Sequence, residues 1–173
     1  MKDTTANRIT VFRIMLIPLF LVFAYADMKY WAFGTYAVAC ISDFLDGYLA
    51  RKYNEKTVFG AFMDPLADKM LVFAVMCFFI QVDKMPAWVV AIALLREFAV
   101  SGLRMMAAQN NQVISAGWSG KIKTASTMAC LAAMLLFDSR CLNIICICII
   151  LVTTLCSGIE YFIINKHIFK EEK

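Results

Sequence analysis

Apolar residues run along the chain in six long stretches, each separated from the next by a short polar segment. A helix that spans a bilayer needs about 20 mainly apolar residues. The stretches predict helices over about 9–26, 30–50, 60–80, 86–107, 119–137 and 142–164. The connectors near residues 27–29, 82–84 and 138–140 are short and polar, as antiparallel helix hairpins require. The pattern therefore predicts an all-α integral membrane protein with six transmembrane helices in a single domain, 1–173.

Composition supports the membrane interpretation. The chain is 62% hydrophobic and 17% charged, whereas soluble proteins average about 45–50% apolar and about 25% charged residues. The net charge of +4 is small, and no basic run is interleaved with aromatic residues as in a nucleic-acid surface. We therefore expect a lipid bilayer as the surroundings and no nucleic acid as a partner.

Lysine and arginine are concentrated at alternate ends of the predicted helices. They cluster before the first helix, between the second and third, between the fourth and fifth, and after the sixth. The opposite connectors carry only Lys29, Lys84 and Arg140. Because basic residues favour the cytoplasmic side, both termini are expected in the cytoplasm, in agreement with an even number of helices.

Four aspartates lie at the facing ends of the second and third predicted helices. Asp43 and Asp46 are three residues apart, and Asp64 and Asp68 are four apart, so each pair shares a helical face. A charged residue at the bilayer centre costs about 2.5–3.5 kcal/mol on insertion scales, so such residues usually face a cavity, a partner or a metal. If the two faces meet, they form a carboxylate cluster suited to Mg²⁺ or Mn²⁺.

Each of these positions also has a purely structural alternative. Gly47, Ala50 and Gly60 leave room for a phosphorylated group between the aspartates, or they serve only close helix packing. A single aspartate could cap a helix or pair with a nearby Arg51 or lysine. Four aspartates at this spacing favour metal binding over those alternatives.

From Asp43 to Asp68 the chain reads Asp, two residues, Asp-Gly, two residues, Ala-Arg, eight residues, Gly, three residues, Asp, three residues, Asp. This segment resembles the signature of the CDP-alcohol phosphotransferase family. The resemblance implies two divalent metal ions, Mg²⁺ or Mn²⁺, and a CDP-linked lipid as donor. It implies that the metal ligands are Asp43, Asp46, Asp64 and Asp68, and that Asp68 is also the general base. It also implies that the CDP-linked lipid contacts Gly47, Arg51, Thr57 and Asn7, beside Ala50 and Gly60.

Asn7 and Thr57 are also helix-capping residue types at plausible helix starts, and capping is an equally good explanation of their positions.

Other segments resemble the bacterial phosphatidylglycerophosphate synthases within that family. They are residues 7–13, 63–69, 95–97 and 120–124. This resemblance implies transfer of the phosphatidyl group of CDP-diacylglycerol to glycerol 3-phosphate, which gives phosphatidylglycerol phosphate and CMP. It also implies a homodimer in the bacterial cytoplasmic (inner) membrane, with its active site facing the cytoplasm.

An anionic acceptor needs cations near the metal site, and Arg96, Arg104, Lys121 and Lys123 are the candidates. Arg96 falls inside a predicted membrane span, where an arginine usually serves a cavity or a partner, and Glu97 could be that partner. The other three have an alternative explanation, because basic residues at cytoplasmic helix ends also set topology and meet anionic lipid.

Three other functions stay open on the sequence. The signature specifies the donor chemistry, so the acceptor could instead be inositol phosphate, serine or phosphatidylglycerol. Intramembrane carboxylates also occur in cation transporters, although the chain shows no internal repeat of the transporter kind. The third alternative is a noncatalytic assembly subunit.

Overall fold

The computed structural model describes the backbone of residues 5–53, 58–109 and 117–165, and the side chains of residues 11–42, 66–67, 69–107 and 117–165. These residues form helices without any strand among them, which confirms the prediction of an all-α chain with six helices. The helices are α1 Thr5–Tyr25, α2 Lys29–Tyr53, α3 Val58–Gln81, α4 Ala87–Gln109, α5 Trp118–Leu136 and α6 Arg140–Ile164.

Several helices extend beyond the apolar stretches that predict them. α1 begins at Thr5 rather than near residue 9, and α2 continues to Tyr53 rather than ending near residue 50. The apolar pattern marks the residues suited to lipid, whereas the backbone hydrogen bonds of a helix continue through polar residues as well. The aspartates and basic residues near these ends therefore lie within helices rather than in loops.

The α1–α2 and α3–α4 connectors stop their helices with the same backbone motif. Asp27 adopts a left-handed conformation, with φ of 58°, and the next residue, Met28, donates its N–H to the carbonyl of Phe23 at 3.0 Å. Asp83, with φ of 56°, occupies the equivalent position after α3. Glycine is the usual residue here, but a short polar side chain also tolerates the left-handed region, so aspartate ends both helices.

The helices alternate in direction. Tyr25 and Gln81 are the last residues of α1 and α3, and the Tyr25 hydroxyl donates to Gln81 Oε1 at 2.6 Å, so these two helices run parallel. Arg104 and Tyr161, both near the C-terminal ends of α4 and α6, are joined by a hydrogen bond of 3.1 Å. The start of α5 consequently lies beside the second half of α4.

The packed core is built around aromatic rings from the first three helices. Phe20 of α1 is completely buried, and its ring centroid lies 6.5 Å from that of Tyr36 and 6.1 Å from that of Phe78. Dispersion contacts between such side chains, rather than exclusion of water, hold helices together inside a bilayer. Further buried members of this core are Leu71, Val75, Phe79, Val89, Leu131, Met134 and Ile150.

Large apolar side chains also cover the outside of the helices. Leu95 and Phe98 of α4 are 70% and 71% exposed, and Val152 of α6 is 60% exposed. Within the part of the chain that the structure describes, α6 is the one helix long and apolar enough by itself to cross a membrane, with a mean hydropathy of 2.4. Within α1 and α3, the described apolar segments Val11–Tyr25 and Lys69–Gln81 are shorter.

Candidate active site

Glu97, in the middle of α4, contacts cations from three helices. Its Oε1 accepts hydrogen bonds from Arg96 Nη1 at 2.9 Å and from Lys123 Nζ of α5 at 2.5 Å. Its Oε2 lies 3.5 Å from Lys69 Nζ of α3. The side chains of Arg96 and Glu97 are each 13% exposed, and that of Lys123 is 9% exposed. We refer to Lys69, Arg96, Glu97 and Lys123 as the Glu97 cluster.

Arg96 is held between α4, α5 and α6. Its Nη2 donates to Ser157 Oγ of α6 at 2.9 Å, while its buried Nε has no acceptor among the described residues. Two glycines lie beside it. A Cβ atom at Gly158 would come within 3.3 Å of Arg96 Cγ, and one at Gly120 would lie 3.9 Å from Arg96 Nη2. The absence of a side chain at Gly158 thus leaves the space through which Arg96 passes.

The polar face of α4 continues beyond Glu97. Lys69 Nζ donates to Ser101 Oγ at 2.6 Å. Arg104 Nε donates to the Tyr161 hydroxyl at 3.1 Å, and the Arg104 guanidinium carbon lies 5.6 Å from the centroid of the Tyr161 ring. Because Glu97, Ser101 and Arg104 are spaced by four and three residues, they share one face of the helix. This face joins the Glu97 cluster to the end of α6.

Lys121 lies apart from these residues. Its Nζ sits 4.8 Å from the centroid of the Trp118 ring, and Trp118 is 78% exposed. Of the four basic residues predicted to bind the acceptor, the structure brings Arg96 and Lys123 together on Glu97. It places Arg104 farther along the same helix, and Lys121 at the exposed start of α5.

The predicted metal ligands belong to two helices that contact each other. Asp43 and Asp46 are in α2, and Asp64 and Asp68 are in α3. Their side chains fall outside the described residues, as do those of five predicted donor contacts: Asn7 in α1, Gly47, Ala50 and Arg51 in α2, and Gly60 in α3. Thr57 lies outside the described residues altogether.

The order of residues in α3 links these aspartates to the Glu97 cluster. Asp68 immediately precedes Lys69, whose ammonium group contacts Glu97. The aspartate signature and the cation cluster are therefore adjacent in the chain. Carboxylates supply the hard oxygen ligands that Mg²⁺ and Mn²⁺ prefer, so the donor set of α2 and α3 fits a divalent metal site.

Sequence reasoning identified the bond between Arg96 and Glu97 but missed four polar residues around it. These residues are Lys69, Ser101, Ser157 and Tyr161. A usable signal exists in α6, where Ser157 and Tyr161 lie four residues apart in a strongly apolar helix. Polar residues at that spacing in a membrane helix share a face and usually find a partner.

A sequence model of the CDP-alcohol phosphatidyltransferase family matches residues 3–157. This range includes the helices α1 to α5 and α6 up to Ser157. The chain belongs to this family. The family resemblance seen in the Asp43–Asp68 signature is thereby confirmed, and the chain is a membrane-associated transferase of phospholipid biosynthesis.

Individual relatives agree with the family assignment. The chain is 39% identical over 147 residues to the CDP-diacylglycerol–glycerol-3-phosphate 3-phosphatidyltransferase of Bacillus subtilis, a match that covers 76% of each chain. It is 33% identical over 177 residues to the protein of the same name from Haemophilus influenzae, covering 96% of this chain and 95% of the relative. A probable phosphatidylglycerophosphate synthase of Mycobacterium tuberculosis is 32% identical over 165 residues, or 90% of this chain and 78% of the relative.

Proposed function

We propose that this enzyme transfers the phosphatidyl group of CDP-diacylglycerol to glycerol 3-phosphate, with phosphatidylglycerol phosphate and CMP as products. The names of the relatives from Bacillus subtilis and Haemophilus influenzae support this donor and acceptor. The observation in the structure that carries the proposal is the Glu97 cluster, because an acceptor with a phosphate group needs cations that are positioned and largely shielded from solvent.

The charge of the Glu97 cluster suits a phosphate monoester. Three cations around one carboxylate leave a net charge of +2. A phosphate monoester carries about −1.5 to −2 at pH 7. Serine has no net charge at that pH, and the phosphodiester of phosphatidylglycerol carries a single negative charge. The cluster therefore favours glycerol 3-phosphate or inositol phosphate over the other two acceptors, and the names of the relatives favour glycerol 3-phosphate.

Two divalent ions, Mg²⁺ or Mn²⁺, would be held by the carboxylates of Asp43, Asp46, Asp64 and Asp68. Such a pair of ions would orient the pyrophosphate of the donor and neutralise the negative charge that develops on the departing CMP. The support for this assignment is the oxygen chemistry of the four side chains and their placement in the contacting helices α2 and α3.

Proton transfer and substrate binding would be carried out by the protein's own residues. Asp68 takes the proton from the glycerol hydroxyl, whose oxygen then attacks the lipid-side phosphorus as the bond to CMP breaks. The Glu97 cluster holds the phosphate of the acceptor, with Arg104 as a further cation and Lys121 as a more distant one. No covalent enzyme intermediate is needed. The donor's CDP group lies against Asn7, Gly47, Ala50, Arg51, Thr57 and Gly60.

We further propose that all six helices cross the membrane, with both termini in the cytoplasm. Exposed aromatic residues support this placement, since Trp31 and Trp88 begin α2 and α4 at one end of the bundle and Trp118 begins α5 at the other. Tryptophan is enriched at both membrane interfaces. The Glu97 cluster then lies toward the cytoplasmic side of the bacterial inner membrane, where a water-soluble acceptor has access. The homodimer stays a prediction.

A product assay tests the proposed function. Purified protein in detergent, with labelled CDP-diacylglycerol and Mg²⁺ or Mn²⁺, should release CMP only when glycerol 3-phosphate is added. Inositol phosphate, serine and phosphatidylglycerol serve as parallel acceptors. Equal CMP release without glycerol 3-phosphate would reject the acceptor assignment, and full activity after the divalent ions are chelated would reject the metal assignment.

The variant Asp68→Asn tests the proposed proton acceptor. An amide cannot accept the hydroxyl proton, so turnover should fall below detection while the melting temperature and measurable metal binding persist. Wild-type turnover in this variant would remove Asp68 from its proposed role.

A further inference from the structure

We infer that Glu97 is a positioning residue for the acceptor: it holds Lys69, Arg96 and Lys123 in the arrangement that receives the phosphate group. This inference rests on the proposed function, because it concerns the binding of the same acceptor. Glu97 itself carries a negative charge and would not contact the phosphate. Its effect would pass through the three cations that it contacts.

Glu97 joins cations from three helices. The three cations come from α3, α4 and α5, and Glu97 is the one described side chain that contacts all of them. Arg96 has a second contact at Ser157 and Lys69 has one at Ser101. Among the described side chains, the Lys123 ammonium group contacts only Glu97. Removal of the carboxylate would therefore release Lys123 first and loosen the other two cations.

The Glu97 cluster combines like charges with free hydrogen-bond donors. The three cations repel one another, most strongly Arg96 and Lys123, whose side chains are 13% and 9% exposed, whereas that of Lys69 is 35% exposed; a shared carboxylate offsets this repulsion and keeps them near a common point. Donor capacity remains after these contacts are made. An ammonium group has three N–H donors, of which Lys123 directs one to Glu97, and the buried Nε of Arg96 has no acceptor among the described residues. The cluster is thus ordered and still able to bind an oxyanion.

A competing interpretation predicts the opposite result. If Glu97 merely neutralised part of the positive charge, its removal would raise the net charge of the cluster from +2 to +3 and strengthen phosphate binding. If Glu97 positions the cations, its removal should weaken acceptor binding in spite of that gain. The direction of change in the KM for glycerol 3-phosphate therefore distinguishes the two roles.

The experiment uses the full chain with the substitutions Glu97→Gln and Glu97→Asp, and measures kcat and both KM values. In Glu97→Gln we expect the KM for glycerol 3-phosphate to rise at least about tenfold, the lower end of the loss caused by removing a residue that orients a metal ligand. The KM for CDP-diacylglycerol should stay unchanged, which also shows that the variant is folded. Glu97→Asp keeps the charge and should restore part of the loss.

If Glu97→Gln does not fold, Glu97→Asp carries the test alone. Its carboxylate is one methylene shorter, so the 3.5 Å contact with Lys69 should be lost before the two closer contacts, and the acceptor KM should rise. A double variant adds a further test. Because Glu97 is inferred to act through Lys123, Glu97→Gln combined with Lys123→Gln should raise the acceptor KM by much less than the product of the two single effects.

Two results would overturn the inference while leaving the proposed function intact. One is an unchanged or lower acceptor KM in Glu97→Gln, in a preparation whose donor KM is normal. The other is full multiplication of the two single effects in the double variant. A wild-type enzyme that releases no CMP with glycerol 3-phosphate would instead overturn the proposed function, and this inference with it.

Discussion

The substitution Gly158→Ala is expected to weaken acceptor binding without destabilising the fold. The new Cβ atom would lie 3.3 Å from Arg96 Cγ, whereas ordinary carbon–carbon contacts are about 3.5–4.0 Å. Arg96 must therefore move by a few tenths of an ångström. This movement costs free energy, because the Arg96 guanidinium group donates to Glu97 and to Ser157, both at 2.9 Å.

The size of the effect follows from these two bonds. A hydrogen bond to a charged group contributes about 1.5–3 kcal/mol, and a shift of a few tenths of an ångström should weaken it rather than break it. We therefore expect a loss of about 1 kcal/mol in acceptor binding, or about a fivefold rise in the KM for glycerol 3-phosphate. Replacing a helical glycine by alanine favours the helix by up to about 1 kcal/mol, so the melting temperature should not fall.

Gly120→Ala is the matched control. Its Cβ atom would lie 3.9 Å from Arg96 Nη2, which is an ordinary contact, and the variant also replaces a helical glycine by alanine. The assay is steady-state CMP release at varied glycerol 3-phosphate, with thermal unfolding of each variant. The reasoning is refuted if the two alanine variants have the same acceptor KM, or if Gly158→Ala loses donor binding as well.

Two further predictions concern single charges. Lys123→Gln should raise the acceptor KM about tenfold, the value of a lost charge-assisted hydrogen bond, whereas Lys121→Gln removes a more distant cation and should raise it by much less. Both substitutions remove one positive charge from the start of α5, so equal effects would mean that net charge alone matters. At the opposite end of the bundle, the hydrogen bond from Lys84, together with its positive charge, lowers the pKa of Asp138 below its usual value of 3.8. The interaction between Lys84 and Asp138 should therefore stabilise the folded protein at neutral pH. This stabilisation should disappear as the pH falls through the lowered pKa of Asp138. Asp138→Asn should cause at most a small fall in melting temperature at pH 7, because the Asp138 side chain is 77% exposed, and the difference from wild type should shrink below pH 3.8. A variant that differs from wild type equally at every pH would contradict this explanation.

The helices and their order could be predicted from the sequence. The alternation of apolar stretches and short polar connectors specified six helices to within a few residues. Asp27 and Asp83 lie in connectors that the same pattern identified, although their left-handed conformations are known only from the structure. The aspartate spacing indicated a metal site, and the resemblance of the whole segment from Asp43 to Asp68 to a known signature indicated the family. Each of these features can be read from one continuous stretch of the chain.

The members of the cation cluster depended on tertiary structure. Lys121 and Lys123 are indistinguishable by composition, yet two residues along a helix turn the side chain to the other face, so only Lys123 meets Glu97. Lys123 and Glu97 are 26 residues apart, and Arg96 and Ser157 are 61 apart. Whether such residues meet depends on the rotation of each helix about its axis and on which helices are neighbours. Hydrophobic periodicity is too weak to specify that rotation in a helix whose apolar residues face both lipid and core. The sequence by itself therefore determined the helices and the chemical groups that they carry. The packing of the helices decided which charged groups share a site.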